Sequence, residues 1–350
     1  YIVLIPKCQC PSNISQFRPI ILCNVFYRIA SKVIANRFSQ ILSHILSHFQ
    51  SAFIPGRLIT DNILIAYEVN HTLNSKNSGK EGSMSIKLDM SKAFDRVEWS
   101  FLRSMMVALG FSPVFVSLIF RCISTVSYSF LLNGNKFGHL QPQRGIRQGD
   151  PISPYLFLIC SEAFSCLLQE AVLCDNITGV QVGHKGPKIS HLLFADDTLF
   201  FAKPTLQEAQ CISSILQIYK AASGQEINLD KSTIVFSTNT DPSMRDSITR
   251  FLNIREVHAH DKYLGLPTII GRSKREVFAS IRDRIWQKIS GWKEQRLSKA
   301  GKEIMLKVVV QAIPTYSMSC FKFPDSLLSD IQSMMTKFWW GDGNKERPIQ

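Results

Sequence analysis

The stretch HLLFADDTLFFA, residues 191–202, sets Asp196 and Asp197 side by side within an otherwise apolar run. An ionised carboxylate is costly to take out of water unless it is paired or ligates a metal. The flanking Leu and Phe residues favour strands that end where the acids begin, so the pair is expected at the tip of a β-hairpin. Aspartate also suits turns in its own right, and that plain reading stands beside a functional one.

A third acid sharpens the choice. In MSIKLDMSKAFDRVEW, Met84, Ile86 and Leu88 alternate with Ser85, Lys87 and Asp89, the two-residue period of a half-buried strand. The strand is expected to end at Asp89, with Ser91 capping a helix that runs past Trp99. If this strand and the hairpin are neighbours in one sheet, Asp89 and Asp196 project to a common point. Carboxylates gathered there repel one another and are driven to protonate unless a cation neutralises them. Oxygen-only ligation with open positions suits Mg²⁺. Two such ions about 3.5–4 Å apart clamp an in-line phosphoryl displacement.

Composition agrees with that direction. The 350 residues carry a formal net charge of +13 and a pI near 9.4, which calls for a polyanionic partner. Nucleic acid is the commonest choice, although a basic surface alone does not separate it from an acidic membrane. The nine cysteines show no C-x-x-C pair, so reduced thiols in a nuclear or cytoplasmic compartment are expected rather than a disulfide framework or zinc module. His44 and His48 share helical spacing but have no third ligand nearby in sequence, and read as structural. Glu162 interrupts the most apolar segment, PYLFLICSEAFSCLL, so no membrane span is expected.

Along the chain, helical spacing from about Val25 marks a basic amphipathic helix. A polar joint is expected at 71–83, a helix closing at Gly110, and two strands around Asn133, Gly134 and Asn135. An apolar helix covers 154–173, strands return after Gly179, and a helix from Leu206 to Ser223 stops at Gly224. The last hundred residues are expected to be amphipathic helices.

Other residues fit phosphate chemistry without demanding it. In RQGDPISP, the Gln148 amide beside Arg147 and the Gly149 backbone suit contact with a nucleotide, or form an ordinary loop before a helix. Arg18, Lys32 and Arg37 are candidates to neutralise a triphosphate or template backbone, and equally candidates for solvated surface. Lys231 in INLDKS is a candidate proton donor to pyrophosphate, or a plain strand-edge lysine.

Taken in order, FRPI, SKVIANR, QSAFIPGRLITDN, LDMSKAFDRVEW, RQGDPISPYLF, FADD, SGQEINLDKS, KYLGLP and GWKEQRLSKAGKEIMLKVVVQAIPTYSMSCF closely resemble the reverse transcriptase region of plant non-LTR (LINE-type) retrotransposons. The resemblance covers essentially the whole chain. It implies an α+β right-hand polymerase: fingers at 1–82, a first palm segment at 83–115, a fingers return at 116–146, a second palm segment at 147–260, and a primer-grip hairpin with a helical thumb at 261–350. It implies that Asp89, Asp196 and Asp197 hold two Mg²⁺ ions, with Mn²⁺ as a substitute. Phe94, where relatives often carry Tyr, is the steric gate against a 2′-hydroxyl. Gln148 and Gly149 contact the nucleotide, and Tyr263, Leu264 and Gly265 grip the primer terminus. The implied partners are an RNA template, a DNA primer and dNTPs, with no membrane. The endonuclease and ribonuclease H regions of such elements fall outside these residues, so the sequence reads as a piece of a longer protein.

Three activities remain open at this level: RNA-directed DNA synthesis, RNA-directed RNA synthesis, which needs a residue tolerant of the 2′-hydroxyl at position 94, and nucleic-acid binding by a catalytically silent relic.

Overall fold

The computed structural model describes residues 1–75, 82–183, 186–271, 273–293 and 297–341. These divide into two compact units, Tyr1–His260 and Asp261–Gln350.

The first unit opens with a strand pair that the sequence reading passed over, β1 (Ile2–Pro6) and β2 (Phe17–Ile21). Asn24 then caps α1 (Val25–Ile45), its Oδ1 accepting from the Tyr27 amide at 2.7 Å. The next helix, α2 (Ile59–Ser75), runs into the expected joint at 71–83, so residues 71–75 are helical and 76–81 lie outside the described residues.

The strand expected before Asp89 is β3 (Met84–Leu88), but both of its faces are covered. Ser85, expected on an exposed face, is fully buried and hydrogen-bonded to His260 at 3.1 Å. Ser91 does not cap the next helix. Lys92 adopts a left-handed φ of 52°, and the chain makes the short α3 (Ala93–Arg96) before α4 (Trp99–Ala108). Gly110, at φ +84°, turns the chain toward α5 (Pro113–Ser124). Strands β4 (Tyr128–Leu132) and β5 (Asn135–Leu140) follow around Asn133 and Gly134, both at positive φ, and Asn135 already belongs to β5.

The long apolar helix is α6 (Ser153–Leu173). By length and composition it would pass for a membrane span, Glu162 notwithstanding, yet 61% of its most apolar window is buried inside the protein. Glu162 is accommodated because Ser47 donates to its carboxylate from both amide (3.0 Å) and hydroxyl (3.2 Å). Then come β6 (Val180–Gln181), β7 (Lys188–Ile189), β8 (His191–Phe194), β9 (Asp197–Ala202) and α7 (Leu206–Ser223), which Thr205 caps and Gly224 ends at φ 76°. Strand β10 (Thr233–Phe236), α8 (Pro242–Leu252) and β11 (Arg255–Glu256) complete the unit.

Two sheets result. One has the order β2-β1-β4-β5, the other β11-β10-β3-β9-β8, with β3 at its centre. Aromatic side chains tie the helices to the central sheet. Phe164 of α6 meets Phe200 of β9 edge-on at 5.4 Å and stacks on Tyr219 of α7 at 4.6 Å.

In the second unit, Tyr263 and Leu266 exchange backbone hydrogen bonds of 2.8 and 3.0 Å across Leu264 and Gly265, at φ 50° and 83°. Helices α9 (Lys274–Val277), α10 (Ala279–Lys293), α11 (Lys299–Met305), α12 (Ala312–Cys320) and α13 (Asp325–Trp340) follow, with a π-turn at Leu306–Val310. Phe278 is fully buried among them and stacks on Phe323 at 4.6 Å. All nine cysteines are free thiols.

Candidate active site

Sheet register brings the acids together. The β3–β9 ladder ends at Leu88 opposite Thr198, and the β8–β9 hairpin at Phe194 opposite Asp197. Asp89 therefore stands one residue past the ladder, level with Asp197, and Ala195 and Asp196 form the two-residue turn. Ala195 carries a φ of 54°, a left-handed conformation that costs a residue with a Cβ.

The apolar run does not carry the acids into the core. Asp196 is exposed and Asp197 half-buried. Even so, the surrounding protein displaces enough water to push both carboxyls above the ordinary aspartate range, and neighbouring carboxylates add to it: Asp89 for Asp196, and Asp196 foremost for Asp197. Asp89 is held by its backbone, which donates to Ser232 Oγ at 3.2 Å and accepts from the Asn228 amide at 2.8 Å. Its carboxylate lies 3.9 Å from Lys231 Nζ.

Asp89 and Asp196 line a cavity of about 2010 Å³ together with Arg18, Lys32, Phe94, Gln148, Gly149 and Lys231. That is more than the roughly 300–1,000 Å³ of a small-ligand pocket, leaving room for a nucleotide and a strand end. Asp197 and Arg37 are not in its wall. Tyr263, Leu264 and Gly265 belong to the second unit, where the Leu264 carbonyl accepts from Tyr316 Oη at 2.7 Å.

Phe94 and the Gln148–Gly149 loop are positioned by one set of bonds. Ile146 donates its amide to the Phe94 carbonyl and Gly145 to that of Val97, each at 2.8 Å, while Ile21 donates to the Gln148 carbonyl at 3.1 Å. The Phe94 ring stacks on Phe157 at 5.0 Å and 10°. Gly149, at φ +99°, takes a conformation that favours glycine.

Arg147 does not share the cavity wall with Gln148 and Gly149. It points inward, with its side chain 7% exposed, and forms an ion pair with Asp150 at 3.7 Å. It also donates to the Cys122 carbonyl and lies 4.3 Å from the Tyr27 ring centroid. Asp150 in turn accepts from Tyr27 Oη at 2.7 Å and from Ser31 Oγ. This cluster fastens the Gln148–Gly149 loop to α1. Tyr27, Ser31 and Asp150 are not evident from the sequence because the hydrogen bonds that join them span more than a hundred residues of chain.

Among the described residues, no three His, Cys, Asp or Glu side chains stand close enough together to enclose an ion. The donor set fits Mg²⁺ nonetheless. That ion is usually held by one or two carboxylates with waters and substrate phosphates rather than by an all-protein cage, and a cation here would offset the lost hydration and the neighbouring negative charge that raise the Asp196 and Asp197 carboxyls.

Comparison with known proteins gives the family. Residues 5–268 match the family described as reverse transcriptase (RNA-dependent DNA polymerase). The chain belongs to the reverse transcriptase family. Its fold class is accordingly the α+β right-hand polymerase class. It is 26% identical over 347 residues, 96% of its length, to the transposon TX1 uncharacterized 149 kDa protein of Xenopus laevis, of which it covers 25%. It is 25% identical over 233 residues, 66% of its length, to a Pol polyprotein from the type-1 retrotransposable element R2 of Popillia japonica, of which it covers 31%. The chain thus spans a quarter to a third of these relatives. Among solved structures, telomerase from Candida albicans aligns over 97% of this chain and 60% of its own, with 13% identity and a TM-score of 0.49.

Proposed function

We propose that this chain is the polymerase core of a plant LINE-type, non-LTR retrotransposon protein and extends a DNA primer on an RNA template with dNTPs. The observation that carries the reading is the convergence of Asp89 and Asp196 on one cleft wall with Phe94, Gln148 and Gly149. In this reading residues 1–82 and 116–146 are the fingers, 83–115 and 147–260 the palm, and 261–350 the primer grip and thumb.

Asp89, Asp196 and Asp197 would hold two divalent ions, Mg²⁺ or in its place Mn²⁺, which when bound lower the pKa of the primer hydroxyl and neutralise charge on the phosphates. Phe94 is stiffened by its stack on Phe157 and excludes a 2′-hydroxyl, which favours dNTPs over NTPs. The backbone at Gly149 and the amide of Gln148 orient the incoming nucleotide, while Arg18 and Lys32 offset triphosphate charge. Lys231, beside Asp89, donates a proton toward departing pyrophosphate. Tyr263, Leu264 and Gly265 form a tight turn suited to bracing a primer end.

Primer extension on an RNA template, wild type against Asp89→Asn, tests the reading. Mg²⁺-dependent extension by the wild type and a loss of at least a hundredfold in the variant are expected. No extension by the wild type, with salt-sensitive RNA binding retained, would favour the silent relic.

A further inference from the structure

The block QSAFIPGR, residues 50–57, has no part in the chemistry above, yet it folds against the catalytic turn. Arg57 gathers it into a compact loop by donating to the carbonyls of Leu46, Ser47 and Gln50. Residues 49–51 thereby lie along β8. Leu193 donates to the Phe49 carbonyl at 2.9 Å, Ser51 to the Leu193 carbonyl at 3.1 Å, and Asn62 Nδ2 to that same carbonyl at 3.0 Å.

The Gln50 side chain reaches further than these bonds do. It is 1% exposed, and its Oε1 accepts at 3.0 Å from the amide of Ala52 and at 3.0 Å from the amide of Ala195. Its Nε2 donates to Ser161 Oγ of α6 at 3.2 Å. Both acceptor positions of the carboxamide are thus in use, one of them on the strained residue directly before Asp196. A left-handed Ala persists only where its surroundings over-determine it, and an Ala195 amide without its acceptor could regain a partner only by moving.

We propose that Gln50 is a positioning residue: it clamps Ala195 so that the Asp196 carboxylate is presented toward Asp89 in an ion-ready orientation. The proposal rests on the polymerase reading for its purpose, but its test does not need turnover. Groups that orient metal ligands without touching the ion typically account for 10–100-fold in metal affinity.

Mn²⁺ binding to the full chain, followed by the electron paramagnetic resonance of free Mn²⁺ without primer or nucleotide, is the direct readout. Gln50→Met is expected to weaken binding about tenfold or more. Gln50→Glu, which keeps both acceptor contacts but loses the donor bond to Ser161, is expected to weaken binding less than Gln50→Met, and a loss as large as that of Gln50→Met would count against the clamp. Ser161→Ala slackens the carboxamide without removing its carbonyl, so it should shift binding in the same direction as Gln50→Met but less, and it keeps the test decisive if Gln50→Met does not fold. Asn62→Ala loosens the same seam away from the turn and is expected to lower the melting temperature while leaving Mn²⁺ affinity unchanged. A merely structural role for Gln50 predicts the reverse: equal Mn²⁺ affinity in folded Gln50→Met and wild type, or losses in Asn62→Ala as large as in Gln50→Met. Either result, or no Mn²⁺ binding by the wild type, would overturn the proposal. Wild-type Mn²⁺ binding without primer extension would instead count against the polymerase reading and leave the role of Gln50 standing.

Discussion

Replacing Asp150 by asparagine changes one charge and almost no volume, in a cluster where both ionic partners are nearly sequestered. The Arg147 and Asp150 side chains are 7% and 1% exposed and 3.7 Å apart. Removing one partner of such a pair costs about 3–5 kcal/mol, chiefly because the other charge is left buried without compensation. An asparagine can retain part of the bonding to Tyr27 and Ser31, so the lower end, about 3 kcal/mol, is expected. At roughly 2–4 °C per kcal/mol for a domain of this size, the melting temperature should fall by about 6–12 °C. Arg147→Met combined with Asp150→Leu removes both charges and should recover more than half of the loss, since apolar replacement of a buried pair is often neutral. Thermal unfolding by circular dichroism, with urea titration to compare midpoints and slopes, provides the measurement. A loss below about 1 kcal/mol for Asp150→Asn, or a double variant less stable than the single, would refute the view that a buried ion pair fastens the Gln148–Gly149 loop.

Three further outcomes follow from the site. Asp196 and Asp197 have folded-state pKa values raised above their unfolded ones, so their contribution to stability is greatest below the ordinary aspartate range near pH 4 and is lost as pH rises through the folded values. Without divalent ions, Asp196→Asn should therefore be slightly more stable than wild type at pH 7, by less than about 1 kcal/mol because solvent reaches this group, and the difference should vanish in acid-titrated melts. Phe94→Val should raise ribonucleotide incorporation by about tenfold or more in single-nucleotide competition, the scale of discrimination by one steric contact. Arg18→Ala and Lys32→Ala should each reduce the slope of log affinity against log salt for RNA by about 0.7 if each contacts a phosphate, as read by fluorescence anisotropy.

What the sequence disclosed depended on how local the determinants are. Period-two alternation ending at Asp89 and at the Asp196 turn was legible because strand propensity and hairpin length are properties of neighbouring residues. The boundaries of α6 and α7 were legible for the same reason, through apolar spacing and the Gly224 stop. Strands β1 and β2 were not, because β1 finds its neighbours in β2 and in β4, more than a hundred residues away in the chain. Ser91 looked like a cap, but the left-handed turn at Lys92 starts the helix later. Ser85 seemed to face solvent until β10 and His260 covered it. Gln50, Asp150 and Glu162 each read as ordinary polar positions, and each is satisfied by partners from a distant segment. Arg147, next to Gln148 in sequence, belongs to the buried support beneath that loop.

The central claim is that Asp89 and Asp196 share a divalent ion during nucleotide addition. A crystal structure of the chain with primer, RNA template, a non-hydrolysable dNTP and Mn²⁺ tests it most directly, through the anomalous scattering of the ion. The account predicts an anomalous peak about 2.0–2.2 Å from carboxylate oxygens of both residues and in contact with the nucleotide phosphates. A nucleotide bound in the cleft with the ion on only one of these aspartates, or on neither, would contradict it.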